Sequence, residues 1–400
     1  MNTSHLLLFL PLLFILRLSS ALQIGERCNP SGGNSCDTGL VCGTCGFCSK
    51  IKPTDPKSKE NGLVFNKYSW LTTHNSYAKE GGSLLGPANQ IDSIGAQLNN
   101  GVRGLMLDMY DFDGNIWLCH SAGTCYNFTA FEPAEDALTT IQKFLEVNPT
   151  EIITIFIEDY VQSTDGLTKV FNAAGLKDYM FPLASMPKNG EDWPLISDMI
   201  TKNQRLIVFT SKRAKEASEG IAYVWNYVVE NQYGNDKSNG GMVAGECPNR
   251  AESSPMNDTK KSLVLMNYFP TNPNATESCL DNSTPLTNML DTCHKLSGNR
   301  WANFIAVDFY KNGDGYGTAF ATNVANGELV CGCKNIDYCK VNGTFGSCNL
   351  PPPSPPRAQS IPLSPPLSTT DDNGSDMTGK SSDMLLLVFI QGVLMLALLP

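Results

Sequence analysis

The chain has 400 residues, with 29 Lys and Arg against 39 Asp and Glu, a formal charge of −10. That surplus of carboxylates repels a phosphate backbone and argues against a nucleic-acid partner. The length suits one large domain with small additions, and 14 cysteines point to an oxidising compartment.

In chain order, an apolar run from Leu6 to Leu16 precedes the small residues Ser19, Ser20 and Ala21. The run is too short to span a bilayer, so residues 1–21 read as a signal peptide cut after Ala21, with a retained signal anchor as the alternative. Residues 22–51 are Gly-rich and carry Cys28, Cys36, Cys42, Cys45 and Cys48. So few large apolar residues cannot build a core, and disulfides must hold the segment. Five is an odd number, so one of these cysteines is expected to pair elsewhere. A zinc site at Cys42, Cys45 and Cys48, or at Cys331 and Cys333, is the competing reading, which secretory oxidation disfavours. The polar stretch Lys52 to Asn61 reads as a linker.

Residues 62–328 alternate short apolar runs with helical patterns. Strands are predicted at Tyr68–Thr73, Gly104–Met109, Asn115–Cys119, Glu151–Ile157, Arg205–Thr210, Ser262–Asn267 and Asn303–Val307. The clearest helix is Ala134 to Val147, with Ala137, Leu138, Ile141, Phe144 and Leu145 on one face, ended by Asn148 and Pro149. Ile196–Lys202 and Leu286–Leu296 are further helices. Alternating strand and helix predicts an α/β fold with a mainly parallel sheet. The strand number favours a (β/α) TIM-type barrel, with a doubly wound open sheet as the alternative. No dinucleotide or P-loop fingerprint follows any strand.

A second cysteine cluster at residues 329–350 (Cys331, Cys333, Cys339, Cys348) reads as a cap, and the Pro/Ser-rich residues 351–373 as an extended stalk. Residues 374–400 end in an apolar run, Met384 to Leu399, with no basic residue after it. Small Asn373, Gly374 and Ser375 precede a polar spacer, the pattern of a glycosylphosphatidylinositol (GPI) anchor signal. Asn373 is the expected attachment residue, with Gly374 or Ser375 as alternatives; a plain transmembrane helix is the competing reading. Asn127, Asn257, Asn274, Asn282 and Asn342 open N-glycosylation sequons.

Two histidines, His74 and His120, end predicted strands, and Asp108, Glu158, Lys212 and Asp308 sit at or near strand ends. In a barrel those ends line the active site. Paired histidines suit phosphodiester cleavage, one taking a proton from the attacking hydroxyl and the other protonating the leaving oxygen. Asn75, Asp108 and Glu158 offer hard oxygen ligands suited to calcium, and Lys212 or Arg213 a cation for phosphate. Other residues read as structural. His294 lies in a helix, Cys119 and Cys125 bracket His120 as a local disulfide, and Asp111 and Asp113 mark a turn. Trp225, Tyr227 and Tyr268 are candidates for stacking on a sugar ring, with packing as the default.

Thr73-His74-Asn75-Ser76-Tyr77 resembles the S-H-N-T-Y motif of the catalytic X region of phosphoinositide phospholipases C. Gly101 to Asp108 resembles the next motif of that family, G-x-R-x-x-E-L-D. Leu118-Cys119-His120-Ser121 and Ile155-Phe156-Ile157-Glu158-Asp159 follow in the family's order, over roughly Asn61 to Tyr310. The layout as a whole resembles plant secreted proteins with this X-type domain. The resemblance implies a barrel phosphodiesterase acting on an inositol phospholipid or related glycolipid at the cell surface. It implies His74 as base, His120 as acid, and Asp308, in Ala306-Val307-Asp308-Phe309-Tyr310, as the group orienting the base. It further implies calcium at Asn75, Asp108 and Glu158. Met106 stands where calcium-dependent members carry Glu, and Tyr110 where calcium-independent bacterial members carry Arg. These departures leave open a non-catalytic surface protein that binds glycolipid or cell wall through an inherited barrel.

Overall fold

The computed structural model describes residues 21–33, 35–59, 62–236 and 240–349. The signal peptide up to residue 20, the stalk, Asn373 and the anchor signal lie outside the described residues.

Eight parallel strands form the centre: β1 Trp70–Thr73, β2 Gly104–Phe112, β3 Ile153–Tyr160, β4 Leu206–Thr210, β5 Ala222–Tyr223, β6 Val228–Glu230, β7 Leu263–Tyr268 and β8 Phe304–Val307. Their hydrogen-bonded order is β6-β7-β8-β1-β2-β3-β4-β5. This is sequence order around a barrel, with one seam between β5 and β6, where the short turn Val224–Asn226 replaces a ladder. β5 and β6 were not legible as strands because they are only two and three residues long.

Period-two alternation sorts the strand residues. One set fills the barrel: Trp70, Phe156, Ile207, Phe209, Leu265 and Phe304 share one core. Phe156 packs edge-on against Phe304 at 4.9 Å and stacks with Phe209 at 5.4 Å. The intervening residues, such as Leu71, Leu105, Ile155, Val208, Val264 and Ile305, face a second core beneath the helices. The helices are α1 Ile94–Asn99, α2 Ala134–Val147, α3 Gly166–Ala173, α4 Ile196–Thr201, α5 Arg213–Glu219, α6 Ser278–Asp281, α7 Thr284–Leu296 and α8 Thr318–Val330. α2 has its predicted limits and buries the predicted face, and Asn148 caps its end.

Asn115–Cys119 is a strand but not a barrel stave. It pairs antiparallel with the far end of β2 and with Ala130–Pro133, so His120 reaches the rim from a hairpin. The predicted linker is also corrected. Thr54 N donates to Asn323 Oδ1 at 2.9 Å, Pro56 is buried, and Lys57 pairs with Glu151 at 3.0 Å. Residues 52–59 thus run as a strap across the base of the barrel, because their polar groups find fixed partners there.

All 14 cysteines pair. Cys28–Cys42 and Cys36–Cys48 hold the N-terminal segment, and the odd cysteine, Cys45, reaches Cys279 on α6. Cys331–Cys339 and Cys333–Cys348 hold the cap, and Cys119–Cys125 closes the loop after His120.

Candidate active site

The inward register of most strands continues past the last apolar residue into a polar one. Trp70 and Thr72 lead to His74, Met106 to Asp108, Phe156 to Glu158, Phe209 to Ser211, Val228 to Glu230, and Phe304 and Ala306 to Asp308. All six of the polar residues but Asp308 line one cleft of about 440 Å³ at the C-terminal rim, together with Asn75 and His120. Asp308 lies just beneath, against His74.

On one wall His74 Nδ1 meets Asp308 Oδ1 at 2.9 Å, and its ring stacks flat on Phe269 at 3.7 Å. A carboxylate accepts, so Nδ1 carries the proton and Nε2 keeps its lone pair. Asn89 donates to the same Oδ1 at 3.0 Å, and Gln90 donates to the His74 carbonyl at 2.8 Å. Neither Asn89 nor Gln90 was foreseen, since both sit in an irregular loop without periodic signal. Phe309, at φ +44°, donates its N–H to Asn89 O at 2.7 Å and locks that loop onto the Asp308 turn.

On the other wall His120 Nδ1 donates to Pro87 O at 2.9 Å, leaving Nε2 toward the cleft, 3.4 Å from Asn75 Nδ2. Burial lowers the pKa of His120 below the ordinary 6.5; the Pro87 carbonyl opposes this, and the nearby His74 adds to it. Asn75 therefore lies between the two histidines, touching Asn89 at 3.4 Å on the His74 side.

Asp108 and Glu158 are directly paired across β2 and β3. Burial first, then the charge of Glu158, holds the Asp108 carboxyl well above the usual range, against a Tyr77 hydrogen bond at 3.1 Å and the field of Arg250. Asn75 Oδ1 is buried without a partner among the described residues. An orphaned amide oxygen beside two carboxylates is a donor set suited to a hard cation, whereas the Met106 thioether in the same lining is too soft to add to it.

Lys212 and Arg213 lie outside the cleft lining. Ser211 takes the lining position after Phe209, and Lys212, past the end of β4, is the N-cap residue of α5. Its amino group sits 6.0 Å from the Tyr160 ring, and Arg213 covers Tyr223 at 4.2 Å. The one Lys or Arg in the described lining is Arg250, from the long loop after β6, which carries no strand or helix pattern. Asp111 is likewise elsewhere, accepting from Gln162 N and Ser163 N. Trp225 lines the cleft, whereas Tyr227 and Tyr268 are packed in the cores, and His294 stacks on Trp301 at 4.1 Å.

Among the sequons, Asn127, Asn257, Asn274 and Asn342 are exposed. Asn282 is a correction. It is 1% exposed, and its Nδ2 donates to Asp308 O at 2.8 Å and Phe309 O at 3.1 Å, leaving no room for a glycan in the folded chain.

A family model described as PI-PLC X 1 matches residues 63–323. A PI-PLC X domain-containing protein of Arabidopsis thaliana is 47% identical over 362 residues, 87% of this chain and 84% of its own. PI-PLC X domain-containing protein 1 of Arthroderma benhamiae is 31% identical over 160 residues, 38% of this chain and 48% of its own. Among solved structures, the phosphatidylinositol-specific phospholipase C of Listeria monocytogenes aligns with a TM-score of 0.42 at 16% identity, covering 66% of this chain and 94% of that one.

Proposed function

This chain belongs to the PI-PLC X family, and from that premise we propose that it is a phospholipase C-type phosphodiesterase acting on an inositol phospholipid or related glycolipid. The observation that carries the reading is the opposition of the Asp308-oriented His74 to His120 across one cleft, with Asn75 between them. His74 Nε2 takes the proton of a ring hydroxyl next to the phosphate, and that oxygen attacks phosphorus. The bond to the glycerol or ceramide oxygen breaks as His120 Nε2–H protonates it, leaving a cyclic phosphate. Water then opens the ring with the two roles exchanged.

A lipid substrate is supported by the rim. Leu84 is 81% and Leu85 69% exposed, and Tyr126 stacks on Phe128 beside them at 5.2 Å. Leu85 N donates to Phe128 O at 2.8 Å, so both loops present one apolar edge next to His120. Acyl chains leaving the cleft would meet that edge. Calcium belongs to the same proposal. Asn75, Asp108 and Glu158 would hold it, and when bound it supplies charge neutralisation at the phosphoryl oxygens. The location proposed is the outer face of the plasma membrane through a GPI anchor at Asn373, supported by the sequence signals and by complete cysteine pairing. The mass of the mature C-terminal peptide checks that part.

The test is turnover of defined phosphodiester lipids by the secreted protein, in chelator and in added calcium, for wild type, H74A and H120A. Wild type releases a cyclic inositol phosphate, and each variant loses at least about 10²-fold. Equal turnover in either variant overturns the two-histidine mechanism, and activity indifferent to exhaustive chelation removes calcium. Lipid binding with no turnover under any condition would instead favour the non-catalytic reading, which Met106 in the cleft supports.

A further inference from the structure

Arg250 occupies the wall between Trp225 and Tyr233, with its guanidinium carbon 5.7 Å from each ring centroid. Nε donates to Glu252 at 3.1 Å and Nη1 to Glu230 at 3.4 Å. Nη2 has no hydrogen-bond partner among the described residues, although the side chain is only 20% exposed. Its anchor is itself fixed: Glu230 is buried and accepts from Trp225 Nε1 at 2.8 Å and Asn267 Nδ2 at 2.9 Å. On the other flank Tyr233 stacks on Phe269 at 5.4 Å, and Phe269 on His74. One rigid ring stack therefore joins the guanidinium to the base histidine.

We propose that Arg250 is the phosphate-binding cation of this cleft, with its unpartnered Nη2 edge donating to a non-bridging phosphoryl oxygen of the substrate. The inference rests on the phosphodiester reading but uses a residue outside the two-histidine set and the calcium ligands. Three observations converge on it. Arg250 is the one Lys or Arg in the described lining; its plane is held at Nε and Nη1, so the free edge is fixed before substrate arrives; and Lys212 is outside that lining. Its reach is consistent with that role. Burial alone would lower its pKa, but Glu230 first, then Glu158, outweigh this, and its own field is felt at Asp108. Arg250 thus acts across the same space that holds Asp108, Glu158 and the histidines. It would fix the phosphate with or without calcium.

The experiment is calorimetry with myo-inositol 1-phosphate in chelator, on the full secreted chain, for wild type, R250K, E230Q/R250M and K212M. The double variant removes both charges, so no buried carboxylate is stranded, and its circular dichroism is compared with that of wild type. The expected result is binding weakened at least about tenfold in E230Q/R250M, an intermediate loss in R250K, which lacks the fork, and wild-type affinity in K212M. Wild-type affinity in E230Q/R250M overturns the assignment, as do an equal loss in K212M or a wild type that binds no inositol phosphate. A loss seen with myo-inositol 1,4-bisphosphate but not with the monophosphate overturns it too, because Arg250 would then read a second anion. Absence of turnover in the wild type sinks the hydrolase reading alone, since calorimetry still decides the role of Arg250.

Discussion

Asp308 shows how one atom sets the chemistry of a histidine. Its Oδ1 accepts from His74 at 2.9 Å and from Asn89 at 3.0 Å, while Oδ2 is buried without a partner among the described residues. In D308N the amide oxygen keeps the place of Oδ1, where His74 and Asn89 both donate, but the negative charge that stabilises the imidazolium formed as His74 takes its proton is lost. We expect kcat/KM to fall roughly 10²–10⁴-fold with the fold intact, measured beside circular dichroism. Full activity in D308N would mean that His74 is oriented by Phe269 stacking alone. The acid partner sets the pH dependence. Burial holds His120 below 6.5, and it must carry its proton to serve the leaving oxygen. Its protonated fraction falls as pH rises, so kcat/KM should decline along an alkaline limb centred below 6.5. A plateau extending beyond that value would contradict the acid role. Much of this site was legible because a strand-end histidine or acid declares its side by counting in twos from the last inward aromatic. Lys212, expected near a strand end, is the N-cap residue of α5 and lies outside the cleft lining. Arg250 and Asn89 were not legible at all, because they come from loops whose course depends on tertiary contacts rather than on period.

At the scale of elements, the site depends on how closely β1 and β2 approach. Gly104 pairs with Thr72, and a methyl group on Gly104 would lie 2.2 Å from Thr72 Oγ1. No rotamer change clears the contact, since Thr72 Cβ is itself 2.9 Å away. G104A should therefore push the two strands apart and lower stability by about 1–3 kcal/mol, read as a lower urea midpoint at unchanged slope. The midpoint of wild type in this variant would show that the pair has slack. The same ladder carries His74 one residue beyond β1 and Asp108 four residues along β2. α2 follows from period alone, whereas the barrel was favoured over an open sheet by the alternation and number of strands. The hairpin was not foreseen, since an antiparallel turn-back after Phe112 reads locally like another stave until its partner is known. That is why His120 was assigned to a barrel strand, although it comes from above the rim.

At the scale of the whole molecule, the small N-terminal segment is not an independent module. Cys45–Cys279 spans 234 residues, and Thr44 Oγ1 donates to Asn312 Oδ1 at 2.6 Å. Asn312 in turn donates to Ser278 Oγ at 2.9 Å on α6. Three residues on from Cys279, Asn282 holds the carbonyls of Asp308 and Phe309. A covalent and hydrogen-bonded path therefore runs from the cysteine-rich segment to the wall that orients His74. The odd count of five predicted a cysteine pairing outside its own cluster, but no local pattern names Cys279, because that choice belongs to the closed barrel. A crosslink across so long a loop removes much of the unfolded chain's freedom, so C45A/C279A should lose about 2–5 kcal/mol of stability in guanidinium titration. Because the same segment supports Asn282, the loss should extend to function, with lower turnover well below the unfolding midpoint. Reduced stability with undiminished turnover would show that the crosslink guards the unfolded state only. Unchanged values for both would mean that the polar contacts of Thr44 and Asn312 already hold the segment in place.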